Sequence, residues 1–269
     1  MYPIARKVTR AWGEIHKRHP TVYKIHYPQH ISRLKRRDFA RVIQKTCSLP
    51  KDSLILEAGA GSGRDSLYFS TIGHKCVALD YYLTPLLSLK DTKTSHTSNL
   101  SLAITSGDIF SLPFPVNTFD MVFNSGVIEH YDQESRTALL EELTRVAKTN
   151  GFVCVIFPNK YHILDPLWGD LISRFSDHDE YDIPEQFKST EQITKEMNSV
   201  GLHSATVEWI DVYDTISHYP YWVPLRLLSY LANVLLPWPP RFMRKKLATR
   251  ILAIGSKRPA NSDVAHRRS

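Results

Sequence analysis

Residues 54–65 read Leu54-Ile-Leu-Glu57-Ala-Gly59-Ala-Gly61-Ser-Gly63-Arg-Asp65. An apolar run delivers a carboxylate, three glycines alternate, and a charged pair opens a segment with helical patterning. Glycine lets the chain turn tightly and approach a ligand closely. The helix that follows offers unpaired N–H groups and the positive end of its dipole. Dinucleotide-binding turns follow G-x-G-x-x-G. Counted from Gly59, Arg64 stands where the last glycine belongs; counted from Gly61, Ser66 does. The turn therefore argues against NAD.

Working outward, Ser53–Ala58 is expected as a first strand and Arg64–Ile72 as a helix closed by Gly73. Cys76–Leu79 reads as strand 2, Thr84–Lys90 as a short helix and Asp91–Asn99 as a polar loop. Leu100–Thr105 and Phe119–Asn124 read as strands 3 and 4. Glu134–Lys148 follows as a helix with Leu139, Leu140, Leu143, Val146 and Ala147 on one face, closed by Asn150-Gly151. Phe152–Phe157 is strand 5, Thr190–Val200 a helix, Ala205–Tyr213 strand 6 and Arg250–Ser256 strand 7. Strands alternating with helices imply right-handed crossovers and a parallel sheet covered on both faces. The expected fold is α/β: a Rossmann-like, doubly wound sheet of seven strands with a final antiparallel strand. An N-terminal helical extension and an apolar insertion between strands 6 and 7 complete it. A nucleotide-like ligand then belongs at the C-terminal ends of the strands. The domain plan is a helical cap over 1–50, a core domain over 51–258 carrying the insertion 214–248, and a disordered tail over 259–269.

Four more segments stand in order behind the glycine turn: Cys76-Val-Ala-Leu-Asp80; Gly107-Asp108-Ile109-Phe110-Ser-Leu-Pro-Phe114; Phe119-Asp-Met-Val-Phe-Asn124-Ser-Gly-Val-Ile-Glu129-His130; and the helix and strand over Leu140–Pro158. Together with Glu57-x-Gly59-x-Gly61-x-Gly63, this series resembles the class I S-adenosylmethionine-dependent methyltransferases, in particular the branch acting on small molecules and lipids. The resemblance covers about residues 50–210 plus the final strand, Ile251–Lys257. It implies S-adenosylmethionine as cofactor, held by Glu57, Gly59, Gly61, Gly63, Asp80, Asp108, Ile109 and Asn124. The glycine turn would approach the methionine portion and Asp80 would accept both ribose hydroxyls. Asp108 would accept the adenine amino group while Ile109 packs on the ring. Taken singly, Asp80 and Asp108 are equally readable as turn or cap residues.

The segment Asn124–Tyr131 is expected beside the transferred methyl group. Glu129 and His130 are candidate catalytic residues that remove a proton or orient an acceptor. The alternative makes them polar residues of the loop before a helix capped by Asp132. Class I chemistry needs little beyond alignment, because a sulfonium is already a good leaving group. Related folds place an N-terminal helix over the cofactor, so Tyr23, His26 and Tyr27, with Tyr131, are candidate substrate contacts; packing is their alternative. Histidine is scattered and H-E-x-x-H is absent, so no metal site is expected. Cys47, Cys76 and Cys154 form no C-x-x-C pair and read as buried reduced thiols.

The net charge of +7 is unevenly spread. Residues 1–50 carry 12 Lys/Arg against Glu14 and Asp38, and residues 214–269 carry 10 against Asp214 and Asp263. The middle, 51–213, carries 12 against 23 acids. Basic ends on an acidic core suit an anionic surface or plain solvation. Within the insertion, Leu225–Leu236 reads as a helix about 20 Å long, too short to cross a hydrocarbon layer of about 30 Å. Trp222 and Trp238 flank it, and Arg241, Arg244, Lys245 and Lys246 follow. Three readings stand: a helix lying in a membrane interface, a lid over the site, or a dimer contact. The expected protein is a cytoplasmic methyltransferase acting on a small-molecule or lipid-like substrate, with peripheral membrane contact through 214–248 at the inner face. The alternatives are an RNA methyltransferase using the basic ends, disfavoured because strand 4 lacks an Asn-Pro-Pro-Tyr end, and a non-catalytic S-adenosylmethionine-binding protein. Acceptor atom and oligomeric state are not readable.

Overall fold

A computed structural model describes residues 3–18, 29–87, 100–162, 189–212, 231 and 239–257. Two helices come first, α1 (Pro3–Arg18) and α2 (Gln29–Cys47). The core follows as β1 (Leu54–Ala58), α3 (Arg64–Thr71), β2 (Lys75–Asp80), β3 (Leu102–Ser106) and β4 (Phe119–Ser125). After a 3-10 turn at Ile128–His130 come α4 (Gln133–Val146), β5 (Ala147–Pro158), α5 (Thr190–Ser199), β6 (Leu202–Ile210), α6 (Arg241–Leu247) and β7 (Arg250–Lys257).

The strands form one sheet in the order β3-β2-β1-β4-β5-β7-β6. Pairing is parallel from β3 through to β5, and β7 runs against both its neighbours. This is the expected doubly wound sheet with a final antiparallel strand. Strand alternation divides the core between the two faces. Leu56, Ala58, Val122 and Val155 join Leu139, Leu143, Ile193 and Met197 on the face covered by α4 and α5. Ile55, Cys76, Met121, Phe123 and Cys154 join Phe39, Ile43 and Phe69 on the face covered by α2 and α3. Ala5 and Val8 bring α1 into the first of these clusters.

All three thiols are buried and unbridged. Burial, reinforced at Cys76 by nearby Glu57 and at Cys154 by Cys47, pushes the Cys76 and Cys154 thiols up and keeps them neutral.

Several boundaries move from their expected places, and two have a plain cause. The α4 helix stops at Val146, and Ala147, at ψ 138°, turns directly into β5. Asn150-Gly151 therefore lies inside β5, across a register irregularity between Phe119 and Met121 of β4, instead of closing the helix. Likewise β6 begins at Leu202, three residues before Ala205, because a register shift between His203 and Thr206 absorbs the irregular Ser204. The outline of strand 6 thus reads later in sequence than the pairing begins. Residues 83–87 start the expected short helix. The polar loop 91–99, most of the insertion 214–248 and the tail 259–269 lie outside the described residues.

The two helices on the α4 face are locked by a buried ion pair. Arg136 Nε and Nη2 donate to Glu196 at 2.9 and 2.7 Å, and Nη1 donates to the Tyr131 carbonyl at 2.7 Å. Their side chains are 3% and 7% exposed. Removing one partner of such a pair strands a charge out of water, which costs about 3–5 kcal/mol, whereas replacing both with apolar groups is often neutral. Arg136→Met is therefore expected to lower the urea-unfolding free energy by about 3 kcal/mol or more, and Arg136→Met/Glu196→Met to recover most of it. A loss below about 1 kcal/mol for the single change would show that water reaches the pair.

Candidate functional site

A cavity of about 390 Å³ opens at the C-terminal ends of the parallel strands, within the usual range for a small-ligand site. Its wall includes Glu57, Gly59, Ala60, Gly61 and Ser62 after β1; Asp80, Tyr81 and Tyr82 after β2; and Asp108 and Ile109 after β3. Ser125, Gly126, Val127 and Tyr131 follow β4. Arg64 and Asp65 of α3, Thr9 and Trp12 of α1, and Arg250 of β7 complete it.

The glycine turn is built by its neighbours. The Gly59 and Ala60 amides both donate to the Leu79 carbonyl at the end of β2, at 2.8 and 2.9 Å. Gly59 lies at φ +77°, and a Cβ there would fall 2.8 Å from Val127 Cγ2, so this position excludes side chains on two counts. Asp80 Oδ2 accepts from the Gly61 amide at 2.7 Å, and its Oδ1 accepts from the Tyr82 amide at 3.0 Å. Glu57 Oε2 accepts from the Ser66 amide at 2.8 Å, satisfying an N–H in the first turn of α3. Asp108 Oδ1 accepts from Phe110 N at 2.9 Å. Each of the three carboxylates thus also holds the backbone that forms the wall, as the cap reading of Asp80 and Asp108 requires, yet both aspartates face the cavity.

Of the eight expected cofactor residues, Glu57, Gly59, Gly61, Asp80, Asp108 and Ile109 line the cavity. Gly63 lies behind them, as the N-cap of α3 at φ 61°. Asn124 does not line it. It is fully buried at the penultimate residue of β4, and its side-chain amide has no hydrogen-bond partner among the described residues. The parallel strand turns the next residue, Ser125, toward the site instead, a consequence of the two-residue period.

Tyr131 lines the cavity at 4% exposure. Burial, then the carboxylates of Asp108, Asp80 and Glu129, push its phenol up, so it stays neutral. The proposed catalytic pair stands one layer back. Glu129 is buried, with Oε1 3.9 Å from where a Cβ on Gly126 would lie. His130 meets the edge of Trp12, with ring centroids 5.7 Å apart. Asp132 caps α4 by accepting from Ser135 N at 2.9 Å, as the alternative reading expects. Tyr23, His26 and Tyr27 lie outside the described residues.

Several wall residues were not signalled by the motifs. Thr9 and Trp12 come from α1, upstream of the segment expected to cover the site. The Tyr82 hydroxyl donates to the Thr9 carbonyl at 3.2 Å, and a Cβ on Gly13 would fall 2.4 Å from that hydroxyl, so α1 is seated directly on the β2 turn. The small residue Gly13 was the available signal. Arg250 reaches the wall from the far side: Nε donates to Asp211 and Nη1 donates to Ser125 Oγ at 3.0 Å. Only the antiparallel return of β7, invisible in a local motif, brings Arg250 beside β4.

The residues fit the cationic cofactor that the motif series implies. Glu57, Asp65, Asp80 and Asp108 oppose two arginines in the wall, a balance that favours a cation. Close backbone approach at Gly59 and Gly61 supplies the narrow part of the cradle.

Comparison with known proteins agrees. Residues 56–155 match the family of methyltransferase domains. A Schizosaccharomyces pombe methyltransferase is 33% identical over 125 residues, which span 41% of this chain and 44% of the relative. A Mycobacterium tuberculosis protein named for S-adenosylmethionine-dependent methyl transfer is 27% identical over 108 residues, 39% of this chain and 36% of that protein. The chain therefore spans less than half of these relatives. In fold it is similar to an S-adenosylmethionine-dependent methyltransferase from Aquifex aeolicus, with a TM-score of 0.54 at 15% identity over 88% of this chain and 97% of that one. It is similar also to Haemonchus contortus phosphoethanolamine N-methyltransferase 2 bound to S-adenosyl-L-methionine, with the same TM-score of 0.54, covering 82% of this chain and 52% of that one.

Asp80→Asn keeps the shape of the β2 turn and removes its charge. Affinity for S-adenosylmethionine, measured by calorimetry, is expected to fall about ten- to a hundredfold, the worth of a charge-assisted contact of about 1.5–3 kcal/mol. An unchanged affinity in a folded variant would restrict Asp80 to holding Gly61.

Proposed function

We propose that this chain, whose residues 56–155 match the family of methyltransferase domains, is a class I S-adenosylmethionine-dependent methyltransferase that transfers a methyl group to a small-molecule or lipid-like acceptor. The observation that carries the reading is the anionic wall formed jointly by the ends of β1, β2 and β3. Glu57, Gly59, Gly61, Asp80, Asp108 and Ile109 are assigned to hold the cofactor, with Gly63 fixing the turn behind them and Asn124 acting by placing Ser125.

When bound, S-adenosylmethionine supplies an electrophilic methyl group: an acceptor lone pair forms the new bond while the carbon–sulfur electrons leave to sulfur. The chain's contribution is alignment and exclusion of water. Asp80 and Asp108 fix the nucleoside end by accepting from hydroxyl and amino donors. Thr9 and Trp12 close that end from above. The acceptor enters on the β4–β5–β7 side, between Gly126 and the Arg250–Asp211 pair. Arg250 keeps 28% of its side chain exposed there while Asp211 is buried at 1%, so the guanidinium is the face offered to an acceptor and the carboxylate holds it in place. Tyr131, a neutral phenol, donates from the floor. Glu129 and His130 act as positioning residues through Gly126 and Trp12, and a departing acceptor proton goes to solvent.

A lipid-like acceptor would be met at the inner face of a membrane. No helix among the described residues is long and apolar enough to cross one; the contact proposed is peripheral.

The test is incubation of the purified protein with methyl-labelled S-adenosylmethionine and cell extract, followed by mass spectrometry of the separated fractions. Label is expected in the small-molecule or lipid fraction. Label in RNA would favour the nucleic-acid reading, and cofactor binding without any labelled product would favour a non-catalytic binder. With the acceptor identified, His130→Ala is expected to keep cofactor affinity and to lose less than about tenfold in turnover, because it stands behind the wall. A loss of about 10²–10⁴ would make it the general base.

A further inference from the structure

The helix α6 (Arg241–Leu247) is short, carries four cations and no acid, and breaks the rule that apolar side chains turn inward. Phe242 is 75% exposed and Met243 is 41% exposed. At about 100° per residue, Phe242 stands near the centre of the outward face, with Lys246 about 40° to one side and Lys245 about 60° to the other. The inward face is accounted for. Arg244 donates to Glu208 at 2.6 Å and Arg241 donates to the Val207 carbonyl at 3.1 Å while lying over the Trp209 ring. These contacts pin α6 to β6 and fix which way Phe242 points.

Two further observations place this face. Tyr161, 48% exposed, lies under Lys245, with the ammonium 5.3 Å from its ring centroid, and extends the patch. The Asn159 amide, just past the end of β5, donates to the carbonyls of Lys245 and Ala248 at 2.9 and 2.7 Å. The patch is thus tied to the same end of the sheet as the cavity, with α6 ending three residues before Arg250.

We propose that the outward face of α6, with Phe242 between Lys245 and Lys246 and flanked by Met243 and Tyr161, docks on an anionic lipid surface beside the mouth of the cavity. A central aromatic ringed by lysines matches the two components of interfacial binding: an apolar group that enters the headgroup boundary and cations that meet lipid phosphate. Tyrosine is at home at that depth. Lysine stems cover apolar surface while their charged ends reach the headgroups. The inference does not depend on methyl transfer; it gives the protein a fixed orientation in which the cavity mouth borders the surface.

The experiment is co-sedimentation of the full chain with phosphatidylcholine vesicles, with and without phosphatidylglycerol, at low and high salt. Binding is expected with the anionic vesicles at low salt, falling as salt rises. Phe242→Ser should weaken it at least about tenfold. Lys245→Ala and Lys246→Ala should each weaken it about fivefold. All three variants should keep their affinity for S-adenosylhomocysteine, which reports an intact fold and cavity. The proposal is overturned by absent binding to anionic vesicles, by equal binding to neutral ones, or by variants that bind as tightly as the parent. It is overturned too if Phe242→Ser abolishes a dimer seen in sedimentation velocity, which would assign the face to a second copy. Binding to single-stranded RNA in place of vesicles would likewise overturn it.

Discussion

The end of β2 holds the glycine turn after β1, and the site depends on that attachment. Two amides of the turn reach one carbonyl, that of Leu79, and a third reaches the Asp80 carboxylate. A backbone with left-handed glycines has little reason to stay in one conformation by itself. Here three hydrogen bonds from a neighbouring strand fix it, and that strand is itself fixed by parallel pairing from Leu54↔Lys75 to Ala58↔Leu79. The same carboxylate that fixes the turn faces the cavity. Holding the turn and lining the cavity are therefore not separable at Asp80, whereas at Gly59 the constraint is the positive φ together with Val127 of the β4 turn, which fills the place of a side chain.

Sheet order then divides the labour. The ends of β1, β2 and β3 lie together on one side of β4 and carry the acids. On the other side stand β5 and β7, and the antiparallel start of β7 delivers Arg250 next to Ser125. A cation and a reacting partner drawn to a guanidinium could be held on opposite sides of one strand end, the arrangement that the proposed transfer at the β4 turn requires. The 3-10 turn and the buried Arg136–Glu196 pair keep that turn in place from below, since Arg136 also donates to the Tyr131 carbonyl.

Local chemistry was readable in the sequence because it rests on short-range rules. The glycine series, the acids closing two strands and the Gly73 stop each depend on a few adjacent residues, and each appears where expected. Boundaries set by long-range pairing were less readable. Whether Ala147 continues a helix or enters a strand is decided by its partner Phe119, 28 positions away, as the β4–β5 register shows. Asn124 illustrates a subtler limit: the segment lies at the end of β4 as expected, but the pleat decides which of two successive side chains faces the cavity. Arg250 and Trp12 could not be found by motif at all, since they reach the site from opposite ends of the chain and only the closed topology joins them.

The uneven charge of the chain finds a physical sense in this arrangement. The acidic middle supplies the wall that suits a cation, and three of its acids, Glu57, Asp80 and Asp108, are engaged with backbone amides. Cations concentrate in the flanking segments, and α6 carries four of them. Its arginines, the residues with planar, multidentate donors, are turned inward to Glu208, Val207 and Trp209. Its lysines, strongly hydrated point charges on flexible stems, are turned outward. That sorting is what a docking face requires. Arginine is the better residue for fixing one geometry, and lysine for meeting a fluid array of phosphates without demanding one. A helix selected only for solubility would have no reason to keep phenylalanine at the centre of its lysines.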